Sequence, residues 1–449
     1  MAETSNTAGQ NRAGDGMANG RRPLGQILVD AGALTQAQVE AALDRQRELD
    51  ARHRHYLLGH ILTGLGYLDA GQVDAALALQ VVNGASPDPA AARAIRRKSQ
   101  QLQDVWQAPT DSGPIRPATA LGVLDGLAEK IASGDFEAMT PVPLGFDPLD
   151  EALGGGVRMG ELILIGGSQG VGKTTMAFQM ARNVAASGEA SCLYVCFEHD
   201  EENLAQRLIA MESVDPEAQG FRIGVTVRDL TQRVMAAHRQ GDVALYDLLE
   251  SDPLTSAALQ RVRMYGDRLH LLKGSGDRST LAAIASLVEA YRVRGDGRLV
   301  LFVDYLQKVP VHPEPQSEQE RVEIVVSGLK ELAMAQQIPV VAVVASDLEG
   351  LRAKRMRAHH LLGGSLLAYE ADIILMLADK YEAVSRVHLE FNPQKAQALR
   401  DWVVCSVEKN RSGRDVIDVQ FEKLFSYCSL NPNGSYVTEK LIDERIYVE

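Results

Sequence analysis

Short apolar runs punctuate the chain from residue 162 onward. They are Leu162–Ile165, CLYVCF (Cys192–Phe197), LVLFV ahead of Asp304, Ile338–Ser346 and the IILML of ADIILMLAD. Each is too short for a helix and is bounded by glycine or polar residues, so each predicts a buried strand. Between them lie stretches of helical composition: Met176–Ala186, the segment ending at Leu208, a polar region over 213–275 that closes with LHLLKG, and IVVSGLKELAMAQQ. Strands alternating with helices predict an α/β domain with a mostly parallel sheet and helices on both faces. Beyond it, WVVCSVEKNRSGRDVIDVQF predicts a hairpin with Arg411–Arg414 at its turn.

The first part of the chain has another rhythm. Arg22–Gln46 matches Tyr56–Gln80 at a constant offset of 34 residues: Gly25 pairs with Gly59, Ile27-Leu28 with Ile61-Leu62, Gln38-Val39 with Gln72-Val73. Each unit reads as helix, glycine stop and second helix, capped by Thr35 or Asp69. One unit is too small for a core, so the pair predicts a small all-α repeat domain over 21–83. Residues 1–20 are rich in Gly, Ala, Asn and Ser and read as disordered. Residues 84–139 read as a linker, rich in Pro, Gly and Ser, that carries an amphipathic helix at 121–136. That helix has to bury its apolar face on its own domain or on a neighbouring subunit. The main domain is set at 140–432 and a tail at 433–449.

Composition narrows the picture modestly. The net charge of −13 disfavours a protein that coats duplex DNA over a wide surface, but not a local basic loop or the inside of a ring. No apolar run approaches membrane-spanning length, and the first twenty residues lack an apolar signal core, so no membrane insertion is expected. The cysteines Cys192, Cys196, Cys405 and Cys428 form no C-x-x-C pair and read as buried thiols of a cytoplasmic protein.

The chemistry centres on ILIGGSQGVGKTT. Gly167, Gly172, Lys173 and Thr174 fit G-x-x-x-x-G-K-[ST], the P-loop. In that motif Gly167, Ser168, Gln169, Gly170, Val171, Gly172 and Thr175 wrap the phosphates of ATP with backbone N–H groups. Lys173 reaches the β- and γ-phosphates and Thr174 ligates Mg²⁺. Asp304 ends an apolar run, where a carboxylate is costly unless it faces a cation or caps a turn. With a P-loop upstream it reads as the Walker B aspartate, the second metal-side residue. Glu198 ends the strand after the P-loop helix and is the candidate catalytic base, although His199, Asp200, Glu201 and Glu202 blur the assignment. Lys409 and Arg411 sit in a charged turn. It is either merely solvated or supplies an arginine finger to a neighbour's γ-phosphate. Arg352, Lys354, Arg355 and Arg357 form a basic loop, either solvated or contacting single-stranded nucleic acid.

In order, these features resemble the C-terminal ATPase domain of DnaB-type replicative helicases, a RecA-like fold: VDYLQ, the strand-ending glutamate, LK-x-LA-x-x-x-x-x-PVVA, S-x-L, ADIILML and EKNRSG. The opening GFDPLDEALGGGVRMGE also resembles the KaiC and RadA families. The resemblance implies hexameric rings with ATP between subunits, Glu198 as catalytic glutamate, and Lys409 and Arg411 acting in trans. It also implies that the helix at 121–136 docks on the adjacent subunit. Three features depart from the family pattern. Ser346-Asp347-Leu348 stands where the family has S-Q-L, which puts Asp347 beside the nucleotide. LLGGS (Leu361–Ser365) lacks the family's arginine, and the helicase N-terminal domain is replaced. The repeat resembles instead the N-terminal module of type II secretion and type IV pilus ATPases, some of which bind cyclic di-GMP. It is also readable as leucines, alanines and glycines that only build a helical protein-interaction domain, the reading that apolar periodicity alone favours.

The function expected is therefore that of an Mg²⁺-dependent, oligomeric ATP hydrolase with a DnaB-like motor that acts on single-stranded nucleic acid as a translocase or helicase. The alternative is a KaiC-like or secretion-associated regulatory ATPase whose repeat takes a protein partner or cyclic di-GMP.

Overall fold

A computed structural model describes residues 34–50, a few positions nearby (26, 28–29, 58, 62 and 67), and 118–442. Within that last span 135, 137–138, 215–222, 242–243, 277, 294–296 and 385–396 are left out. The chain divides into two units, Met1–Pro117 and Ala118–Glu449.

In the first unit, helix α1 (Gln36–Asp50) starts at a reciprocal cap. The Gln38 N–H donates to Thr35 Oγ1 (3.3 Å) and the Thr35 N–H to Gln38 Oε1 (2.9 Å). Leu28, Leu34, Val39, Ala42 and Leu62 are buried in one cluster. Leu28 and Leu62, which are equivalent repeat positions, both lie in this cluster. The described apolar positions are thus engaged in packing, and nothing here supports cyclic di-GMP at this repeat. Asp69, residues 1–20 and the linker before residue 118 lie outside the described residues.

The second unit opens with helix α2 (Ala120–Ser133), a few residues shorter than predicted. The Thr119 hydroxyl accepts the Gly122 N–H, and Gly134 ends the helix in the left-handed region (φ 79°). None of its residues is buried; Leu121, Leu124, Leu127 and Ile131 are all exposed.

The sheet holds ten strands among the described residues, in the order β10-β8-β7-β6-β1-β5-β4-β2-β3, with β9 beside β8. They are β1 (Leu162–Gly167), β2 (Ser191–Cys196), β3 (Leu269–Lys273), β4 (Leu299–Asp304), β5 (Val340–Val343), β6 (Ile373–Asp379), β7 (Trp402–Asn410), β8 (Ile417–Leu424), β9 (Ser429–Leu430) and β10 (Ser435–Tyr436). β1 to β6 run parallel; the rest add antiparallel. β1 is buried along its whole length because both faces are covered. Ile163 and Ile165 belong to one buried cluster with side chains of α3 (Lys173–Ser187) and α4 (Glu201–Glu212). Leu162 and Leu164 belong to a second buried cluster with side chains of α7 (Leu281–Val293) and α8 (Glu318–Gln336).

Two boundaries differ from expectation. The polar region after α4 forms α5 (Val227–Gln240) and α6 (Pro253–Tyr265), but its closing LHLLK is strand β3, paired along β2. Three of its side chains are half-buried at the sheet edge, which blunts the strand signal. The domain also does not stop at 432: Ser435 and Tyr436 pair with β8, and Leu441 is buried. Cys192, Cys196 and Cys405 are buried free thiols and Cys428 is half-buried. No helix among the described residues is long and apolar enough to cross a membrane.

Candidate active site

In a parallel sheet, ligands collect outside the carboxyl ends of the strands. Here the loops after β1, β2, β4 and β5 surround a cleft of about 620 Å³. The P-loop forms one wall. Gly167 has φ 145°, and a Cβ there would meet the Leu377 carbonyl oxygen at 2.5 Å. Gly172 has φ 104°, and a Cβ there would meet the Phe425 ring at 2.6 Å. Neither position admits a side chain without strain. Gln169, Gly170, Gly172, Lys173, Thr174 and Thr175 line the cleft. Gly167 and Ser168 stand behind it, and the Val171 side chain is buried in the core.

α3 begins at Lys173, so its amino end faces the cleft. Lys173 Nζ donates to the carbonyls of Gly167 and Ser168, both at 2.9 Å. Burial holds its amine below the ordinary lysine range, while Glu198 and Asp304 pull the other way. Across the cleft, the Thr174 hydroxyl donates to Asp304 Oδ1 at 3.3 Å. Tyr194, on the adjacent β2, donates to Asp304 Oδ2 at 2.8 Å. Asp304 is 1% exposed. Burial pushes its carboxyl up to about 6 despite the hydrogen bonds from Tyr194 and Thr174.

Thr174 and Asp304 present hard oxygen ligands, as Mg²⁺ requires. Among the described residues no group of three His, Cys, Asp or Glu could hold a metal ion. The two residues fit a magnesium ion that shares its remaining positions with phosphate and water, which is how this metal is usually bound at phosphate sites.

Glu198 is exposed and lines the cleft next to Asp304 and Lys173. Two of its acidic neighbours are engaged with backbone N–H groups instead. Asp200 caps α4 by accepting the Asn203 N–H (2.9 Å), and Glu201 accepts the Lys273 N–H (2.7 Å).

Other expected residues sit elsewhere. Asp347 does not line the cleft; Ala345, Ser346 and Leu351 do. Its carboxylate turns back to accept the Gly350 N–H at 2.7 Å, closing a tight turn. The basic loop divides. Arg352 and Lys354 are exposed. Arg355 is 6% exposed and donates to Asp418 Oδ1 (2.6 Å) and Ser406 Oγ (3.0 Å), so it is not a free nucleic-acid contact. Arg357 pairs with buried Glu408 (2.7 Å) and is likewise spoken for. Lys409 and Arg411 lie at the opposite end of the sheet. Arg411 N–H donates to the Asp372 carbonyl, and Asp372 N–H to the carbonyl of Leu162, where β1 begins. Tyr305 and Ser346 lie inside VDYLQ and S-x-L, but no motif in the sequence points to Tyr194 or Phe425 at the site. Each has its place fixed by pairing or loop closure rather than by a local pattern.

A P-loop strand separated from the Walker B strand by one intervening strand, with Lys173, Thr174, Asp304 and Glu198 around one cleft, defines a RecA-like ATPase. The chain belongs to the DnaB-like helicase C terminal domain family, which it matches over residues 141–428. It is 26% identical over 378 residues to the replicative DNA helicase DnaB of Leifsonia xyli, covering 82% of this chain and 69% of that protein. To the replicative DNA helicase DnaC of Bacillus subtilis it is 24% identical over 243 residues, 53% of this chain and 47% of the relative. The chain thus spans between about half and two thirds of these relatives. The DNA repair protein RadA of Mycobacterium tuberculosis is 30% identical over 156 residues, covering 26% and 32%. In fold, the chain matches a solved ATPase domain at a TM-score of 0.54, with 19% identity over 70% of this chain and 99% of that one. It also matches a DnaB-like replicative helicase described with its primase interactions (TM-score 0.52, 17% identity, 86% and 89%).

Proposed function

We propose that this chain is the motor subunit of a homo-oligomeric ring, a hexamer by analogy with the family, that hydrolyses ATP while moving on single-stranded nucleic acid. One observation carries the oligomeric part. Arg411 is level with Leu162, five residues down β1 from Gly167, a drop of about 16 Å at strand spacing. That exceeds the reach of an arginine side chain, so a phosphate met by Arg411 belongs to a second subunit.

Within one site, the P-loop amides and Lys173 hold the β- and γ-phosphates. Thr174 and Asp304 would supply protein oxygens to a magnesium ion, which would neutralise charge on the phosphoryl group being transferred, and Tyr194 fixes which Asp304 oxygen faces the cleft. Glu198 orients the attacking water and accepts its proton. Arg411 and Lys409 of the next subunit offset the charge that develops in the transition state. Arg352 and Lys354 meet the nucleic-acid phosphates. With Asp347 turned away from the cleft, its charge gives no ground for expecting slow turnover.

The test is ATP hydrolysis by the full chain with and without a single-stranded oligonucleotide, alongside its mass by sedimentation. Stimulation by the oligonucleotide and a ring-sized particle are expected. A fully active monomer indifferent to the oligonucleotide would overturn the reading.

A further inference from the structure

Arg411 rests on Asp372, a buried carboxylate at the foot of β6. The Asp372 side chain is 8% exposed and that of Arg411 is 50% exposed, so a fixed anchor holds a guanidinium that still faces outward. Asp372 Oδ1 accepts from Arg411 Nη1 at 3.2 Å. Asp372 Oδ2 accepts both the backbone N–H of Leu162 (2.8 Å) and Lys330 Nζ (2.7 Å). Arg411 Nη2 donates to the Tyr369 carbonyl, and Lys409 Nζ to the carbonyls of Ala368 and Ala371, all in the segment that leads into Asp372. The remaining guanidinium N–H groups are left for an outside acceptor.

We infer that Asp372 is the positioning residue that aims Arg411 at the neighbouring subunit's nucleotide, and that it joins this finger to the strand carrying the subunit's own P-loop. The inference rests on the reading that Arg411 acts in trans. Two features set it apart from an ordinary structural ion pair. Lys330 stays on Asp372 when Arg411 turns to a phosphate, so the buried carboxylate is never left unpaired, the condition that makes most such pairs costly to open. And the Leu162 amide is the first residue of β1, whose last residue, Gly167, opens the P-loop. A displacement of the phosphate-binding loop along this short, fully buried strand is delivered to the base of the finger.

The experiment uses the full chain with Asp372→Asn, Arg411→Ala and Lys173→Ala, alone and co-expressed in pairs. Asp372→Asn should lower turnover about 100-fold, the scale of a misplaced catalytic group. A fluorescent nucleotide should still bind its P-loop within about twofold of wild type, since Kd there involves no finger. Co-expression with Lys173→Ala should restore hydrolysis well above either variant alone, because Lys173→Ala subunits supply intact fingers to Asp372→Asn P-loops. A merely structural defect would not be rescued. Arg411→Ala with Lys173→Ala is the control for the trans reading. If that pair shows no rescue, the trans reading falls. If it rescues and the Asp372→Asn pair does not, or if Asp372→Asn alone turns over normally, the role given to Asp372 falls. Asp372→Glu, which keeps the charge and shifts it by one methylene, runs through the same pairings should the asparagine variant fold poorly, with the same rescue expected.

Discussion

Replacing Arg355 by alanine distinguishes sharply between a structural arginine and a nucleic-acid contact. Arg355 is 6% exposed and holds Asp418 Oδ1 at 2.6 Å. Removing one partner of a buried pair costs about 3–5 kcal/mol. Asp418 keeps 27% of its side chain exposed and recovers some hydration, so the low end applies, about 3 kcal/mol. For a domain of this size that lowers the melting temperature by roughly 4 °C. The assay is thermal unfolding of wild type, Arg355→Ala, Asp418→Asn and the double variant. Removing both partners strands no charge, so the double variant should unfold well above the sum of the single losses. Affinity for a single-stranded oligonucleotide, measured well below the melting range, should be that of wild type. An Arg355→Ala protein that melts normally but has lost the oligonucleotide would refute the argument.

Other expectations follow from the same geometry. Arg352→Ala with Lys354→Ala should leave melting unchanged and flatten the salt dependence of single-strand binding by about 1.4 in log–log slope, two phosphates' worth; an unaltered slope would remove both residues from the interface. Tyr194→Phe keeps the ring against Phe178 and Phe302 but deletes the hydroxyl on Asp304. Titrating magnesium against a fluorescent nucleotide should show about a tenfold higher requirement, the worth of one hydrogen bond to a charged group. For Asp304, the folded carboxyl titrates near 6 against 3.8 unfolded, so the folded state binds its proton more tightly. Stability is then fully present below pH 4 and falls as pH rises to about 6, by about 3 kcal/mol. Asp304→Asn should lack that fall and be the more stable protein at pH 7.5 without nucleotide; matching denaturant midpoints for the two at that pH would contradict it.

What the chain discloses by itself is what depends on neighbours in sequence. The P-loop, its strand and its helix are contiguous, and β1, β2, β4, β5 and β6 are apolar runs that need no partner to be recognised. Asp304 and Glu198 are legible because each ends such a run. The misreadings concern side chains whose environment is set from far away. Arg355 looks like part of a basic loop until Asp418, 63 residues on, closes over it. Tyr194 looks like core, and so it is, except that its hydroxyl meets a residue 110 positions later. Motif register alone puts Asp347 beside the phosphate. The Gly350 amide, three residues away, claims its carboxylate by a turn that outcompetes the cleft. β3 hides in its sequence because an edge strand need not be apolar on both faces.

The basic loop between β5 and β6 is clasped twice. At its root Ser346 bridges Leu361, and the Asp347 N–H donates to the His360 carbonyl. Farther out, Arg355 and Arg357 fasten it to β7 and β8. Only the few residues from Leu348 to Lys354 lie between these fastenings. Such a loop is a handle fixed to its subunit, not a lever that swings from it. On the ring reading proposed above, a motor with such handles carries each grip forward by shifting whole subunits against one another, so its stride is set by the contacts between copies of the chain.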